Sequence, residues 1–249
     1  MNKLKITKLA AMAMGLAVAG QVAQAQSSLF DVQCGLSGNM TYSGAAVLGA
    51  SGDVWNTYSG GWFNYTTQGL TTLKDSTGSS AAGVTVNIQN IETGYFNAGG
   101  TTANPANLMD GYLTSPGYSG GDPNGWPVEV ALAGLPDLAA FKLVVYSAGD
   151  TAGQGATIHL TGPSFSDESI TATATTTGAS RDISAGQGVA YQVFSGTTSA
   201  TGTIYFDVAS TTQWHALNGL QLEVPEPSSM ALCGGGLVLL GVFRRRLAR

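Results

Sequence analysis

Gly117-Tyr118-Ser119-Gly120-Gly121 has the G-x-S-x-G spacing of a nucleophile elbow, in which a strand-to-helix turn lifts a serine toward a histidine base. Its flanks, "LTSP" and "DPNGWP", are proline-broken and no helix pattern follows, so the stretch reads as a glycine-rich turn. The chain has two histidines. His159 shares a strand face with Thr157 and Thr161, and His215 follows Trp214 in a loop. Zinc needs three or four convergent ligands, and neither an H-E-x-x-H run nor a paired His/Cys spacing is present. A two-carboxylate glycosidase is set by separation in space, and fourteen scattered acids are what a solvated surface requires. Neither G-x-G-x-x-G nor G-x-x-x-x-G-K-[ST] occurs, so nucleotide binding has no support. These residues predict a protein that is not an enzyme.

Two binding chemistries remain open. Asp122-Pro123-Asn124-Gly125 offers oxygen ligands in a tight turn, where a sandwich could hold a structural calcium ion. It lacks the acidic repeat of an EF-hand loop and fits a type I turn. Trp55, Trp126 and Trp214, like Trp62, lie beside glycine, asparagine or other polar residues. Exposed rings there could stack on sugars, while the usual burial of tryptophan favours plugging the sandwich edges.

The elements that would position these groups are strands. Val84, Val86 and Ile88 alternate with Thr85, Asn87 and Gln89, as on a half-buried strand. Ile204, Phe206 and Val208, and Leu220, Leu222 and Val224, repeat the period of two. "FKLVVYS" is apolar on both faces, which suits a central strand. "ATIHLTG", "VAYQVF" and "SITATATTT" add further strands. Glycine, proline and asparagine clusters between them leave room for one helical turn at "NPANLMDG", with Asn104 as cap, Pro105 first and Gly111 as stop. The fold class is all-β, a β-sandwich in one domain over residues 26–223.

Both ends differ from this body. Lys3, Lys5 and Lys8 precede an apolar run to Gly20, and Ala23 and Ala25 are small residues at the positions a signal peptidase inspects, giving a signal peptide over 1–25. Between Gln26 and Val224 three cations, Lys74, Lys142 and Arg181, face fourteen carboxylates, a net of −11. Such a body repels phosphate backbones, which excludes nucleic acid as a partner. Cys34 is the body's single cysteine, so an internal disulfide there is excluded and a buried small residue is expected.

Residues 224–249 read "VPEPSSMALCGGGLVLLGVFRRRLAR". Met230 to Phe243 makes about 21 Å of helix at 1.5 Å per residue, short of the roughly 30 Å hydrocarbon core. Arg244, Arg245, Arg246 and Arg249 hold the cytoplasmic side, so the segment suits a transient inner-membrane span. Pro225 and Pro227 keep Glu226 extended, as a protease needs.

Val224-Pro225-Glu226-Pro227-Ser228, a glycine-containing apolar run and a terminal arginine cluster resemble the PEP-CTERM sorting signal. The resemblance implies recognition of Pro225, Glu226 and Pro227 by an exosortase, an integral-membrane cysteine transpeptidase or protease. It further implies delivery to the cell surface or extracellular matrix of a Gram-negative bacterium that makes exopolysaccharide, a second expected partner. Cys233-Gly234-Gly235-Gly236 departs from the usual leucine and alanine and weakens the span. The segments "GDVWN", "LMDGYL", "GLPDLAAFKLVVYSAGD" and "LNGLQLEV" resemble ectodomains found beside such tails, which are similar to galactose-binding-like jelly rolls.

Overall fold

The computed structural model describes residues 27–36, 40–60, 68–91, 93–96, 107–114, 127–149, 154–162, 169–210 and 215–225. The expected signal peptide with Ala23 and Ala25, Glu226, Pro227 and Arg244 to Arg246 lie outside them, as do Trp62, Trp126, Trp214, the Asp122 turn and the Ser119 turn. Residues Ser28–Val224 form a compact unit.

That unit is a β-sandwich. One sheet is built from β1 (Ser27–Leu36), β2 (Trp55–Gly60), β10 (Ala140–Tyr146), β13 (Tyr191–Thr197) and β15 (Gly219–Pro225), in the order β13-β10-β15-β1-β2. The other contains β3 (Gln68–Leu70), β6 (Thr85–Gln89), β9 (Val128–Ala133), β11 (Ala156–Leu160), β12 (Ala172–Thr175) and β14 (Ile204–Ser210), in the order β12-β11-β14-β9-β6-β3. Two small hairpins pair β4 (Leu73–Lys74) with β5 (Ser80–Ala81) and β7 (Thr93–Phe96) with β8 (Gly111–Thr114).

The expected alternation is present. Val86 and Ile88 on β6, Ile204, Phe206 and Val208 on β14, and Leu220, Leu222 and Val224 on β15 all enter the core between the sheets. β10 is buried on both faces because the five-stranded sheet is covered twice. Phe141, Leu143 and Val145 join the inter-sheet core, while Val144 and Tyr146 pack outward with Trp55, Leu108 and Met109.

Two elements differ from expectation. β1 has no clean sequence signature, because Asp31 and Gln33 alternate with Phe30, Val32 and Cys34 yet are buried as well. It pairs with β2 in parallel, Asp31 opposite Trp55. The helical turn is shorter and later than expected: a 3-10 turn spans Leu108–Asp110, and Asn107 caps it by accepting the Met109 N–H on its side chain at 3.1 Å. Gly111 follows in extended conformation and starts β8, while Asn104 and Pro105 lie outside the described residues. Among the described residues no helix is long and apolar enough to cross a membrane, and the expected span at Met230 to Phe243 is not among them.

Phe206 is fully enclosed between the sheets. Phe206→Ala should cost about 3–5 kcal/mol in chemical denaturation, whereas Thr175→Ala on the exposed face should stay within about 0.5 kcal/mol.

Candidate functional site

The last strand brings the chain to the site. β15 lies between β10 and β1, with Lys142 opposite Glu223 and Tyr146 opposite Gly219. The Cys34 N–H donates to the Asn218 carbonyl at 2.8 Å, and Gln221 Nε2 donates to Asp31 Oδ1 at 2.7 Å. Register therefore falls on β15 as it rises on β1, so the two strands are antiparallel and the start of β1 lies beside the end of β15. Pro225, the first residue of the expected tripeptide, is the last residue of the strand. Proline has no N–H to donate to the ladder at that position.

The same end of the sandwich carries a cleft. Short connections lead from β9 to β10 and from β13 to β14, and they brace one another. Thr198 Oγ1 accepts the Ala139 N–H at 2.9 Å and donates to the Pro136 carbonyl at 2.6 Å. Leu135 and Leu138 N–H groups donate to the Gly202 and Ser199 carbonyls. Gly202 has φ +62°, and a Cβ there would stand 1.8 Å from the Leu135 carbonyl oxygen, so only glycine closes this brace. Between these connections and the end of β11 opens a cavity of about 540 Å³. Phe141, Leu160, Ile204, Thr161, Thr171 and Tyr205 are among the residues that line it. Among the described residues no carboxylate, imidazole, thiol or amine lines it.

The titratable groups lie elsewhere. His159 Nδ1 is 2.7 Å from Asp207 Oδ1 on the outer face of the six-stranded sheet. Asp207 is also opposite Glu129 on β9, so one row across the strands reads Thr173, His159, Asp207, Glu129, Gln89. Burial raises the Asp207 carboxyl, with His159 pulling the other way, and burial followed by the Asp207 charge raises Glu129. His159 was legible as a strand-face residue, but its carboxylate partner was not, because cross-strand register is not written in either segment. His215 sits in a loop as expected, yet it is enclosed. Burial lowers its pKa to about 4, and Nε2 has no hydrogen-bond partner.

A second buried group faces away from the inter-sheet core. Gln221 Nε2 donates to Asp31 Oδ1 and to the Leu48 carbonyl, while Gln221 Oε1 accepts from the Tyr146 hydroxyl at 2.5 Å and the Leu48 N–H at 2.9 Å. The Val47 N–H donates to the Tyr146 hydroxyl at 2.9 Å. Asp31 Oδ2 is left without a partner, and burial, reinforced by the Asp53 charge, pushes the Asp31 pKa up to about 7. This network had no sequence signal, since an Asp and a Gln inside alternating strands read as solvent-facing. Among the described residues no group of three His, Cys, Asp or Glu side chains converges as a metal site.

Of the three tryptophans considered for sugar stacking, Trp55 is described. It is buried, its Nε1 donates to the Gly44 carbonyl at 2.8 Å, and Tyr42 meets its ring edge-on at 5.0 Å between centroids. A ring enclosed in this way presents no face to a sugar, so Trp55 takes the plugging role. Cys34 is buried, and burial pushes its thiol well above the ordinary range.

A family model of the PEP-CTERM protein-sorting motif matches residues 223–246. The chain carries a PEP-CTERM sorting motif. That motif marks an exported, cell-surface-directed protein processed by an exosortase. The match begins at Glu223, inside β15, so the sorting motif and the sandwich share residues. No curated protein and no solved structure matches the chain.

Asp31 gives a pH signature. Its folded pKa of about 7 lies above the ordinary carboxyl value of 3.8, so the folded chain binds the extra proton between them. Stability should be greatest below about pH 4 as far as this group is concerned, and should fall as pH rises through 7. Melting curves of Asp31→Asn should lose that slope between pH 4 and 7. An unchanged slope would assign it to another group.

Proposed function

We propose that the PEP-CTERM chain is a non-enzymatic structural or interaction protein of the cell envelope or extracellular matrix, in a bacterium that makes exopolysaccharide. Export begins with a signal peptide removed after Ala25. A tail spanning the inner membrane then holds the chain until the exosortase acts at Pro225, Glu226 and Pro227, with Arg244 to Arg246 left on the cytoplasmic side. The observation that carries this reading is the match of the sorting motif over residues 223–246, which begins within the last strand, Gly219–Pro225. β1 likewise begins at Ser27, two residues after Ala25, so the sandwich needs neither terminal segment for its strands. The described lining of the cleft is made of hydroxyl-bearing and apolar residues, which suits contact with a ligand.

Replacing Glu226 with alanine should leave an unprocessed form in the membrane fraction, seen as retention of the tail's mass in the intact protein. Wild-type processing of Glu226→Ala would remove the tripeptide from its role.

The cleft favours a second reading, a carbohydrate-binding module for exopolysaccharide. Its volume of about 540 Å³ falls in the range of small-molecule sites, and its uncharged Thr, Ser, Phe141 and Tyr205 lining suits a neutral sugar. Calorimetric titration with oligosaccharides cut from the exopolysaccharide should show binding that Tyr205→Ala weakens about tenfold, in line with loss of a ring contact. Equal heats for both proteins, or none, would leave the structural reading alone.

A further inference from the structure

Leucine at position 138 is not explained by the fold. Its side chain is 66% exposed, so the core does not require it. Its backbone has φ +50°, the left-handed region where glycine or asparagine costs less. The conformation is held by the loop around it, through the Leu138 N–H to Ser199 carbonyl bond and the Thr198 bonds to Pro136 and Ala139. A strained, exposed apolar residue on a rigid pedestal suits contact with something outside the chain.

Its position names the partner. Continuing the register of Lys142 opposite Glu223 places Val224, the last residue of the compact unit, opposite Phe141, three residues from Leu138. One interstrand step and three residues put Val224 within roughly 12 Å of Leu138, and the tripeptide follows Val224 in sequence. Ile170, the other exposed large hydrophobic residue among those described, is 54% exposed and adjoins Thr171 on the far rim of the cleft. Both therefore sit at the end of the sandwich from which the sorting motif leaves. No spacer separates the two, because the family match starts within β15 itself. An enzyme that seats Glu226 in its active site must bring the rim of that site against this end.

We propose that the end of the sandwich bearing Leu138 and Ile170 is a docking surface for the exosortase, so that the folded domain as well as the tripeptide is read during processing. This rests on the exosortase reading above. The two side chains supply apolar contacts to such a partner.

The test uses the full chain expressed in cells that contain the exosortase. Processing is followed by pulse-chase and by intact mass, for wild type, for Leu138→Asn with Ile170→Ser, for Ala185→Asn at the opposite end, and for Glu226→Ala. Asparagine tolerates the left-handed backbone, so the double variant should melt at the wild-type temperature or higher. It should nevertheless be processed about tenfold more slowly, as expected when two contact side chains are lost, while Ala185→Asn keeps the wild-type rate. Wild-type processing of the double variant would overturn the proposal. So would flotation with phosphatidylcholine vesicles that the double variant loses and wild type keeps, because the contact would then belong to lipid. Normal processing of Glu226→Ala would instead sink the tripeptide reading, and the docking surface with it.

Discussion

The sandwich closes on the pairing of its last strand between β10 and its first strand, β1. Gln221 and Asp31, 190 positions apart in sequence, bond across that pairing at 2.7 Å. Loop-closure entropy makes such contacts late ones, because a chain must order a long intervening segment before they contribute. Leu220, Leu222 and Val224 complete the inter-sheet core only when β15 is in place. The fold therefore cannot be finished until residues up to Val224 have crossed the membrane.

β15 also explains why the five-stranded sheet is buried on both sides. One face presents leucines and a valine to the other sheet, and the opposite face presents Gln221 to Asp31, Tyr146 and the backbone of Leu48. Buried polar groups are costly unless bonded, and Gln221 is fully bonded, which fixes how residues 42–48 lie over the sheet. Asp31 is the exception, with one oxygen unpartnered. Its raised pKa follows directly: the neutral acid loses less than the carboxylate when water is removed.

How much of this was legible depended on where each strand's second face points. β6 and β14 have one core face and one solvent face, so a period of two in Val86, Ile88, Phe206 and Val208 was sufficient. β10 was legible as a central strand because both faces are apolar. β1 was not, because Asp31 and Gln33 look like a solvent face and become buried only under a loop that sequence spacing does not place. The parallel pairing of β1 with β2 and the His159–Asp207 contact escaped for a related reason, since register arises from the whole sheet. The sorting motif was legible in full, because a membrane enzyme reads it as local sequence.

Pro225 joins these two kinds of information. It is the last residue of β15, where it lacks an N–H to donate to the ladder, and the first residue of the tripeptide. Moving the boundary inward would draw Val224, which is 2% exposed, out of the core at a cost of about 1.5–3 kcal/mol. Moving it outward would insert slack between the domain and the residues an exosortase reads. The core resists fraying up to Val224, and Pro225 removes one donor from the ladder at the next position. The residues that an exosortase reads thus follow directly, in sequence, on a strand that the core holds in place up to Val224.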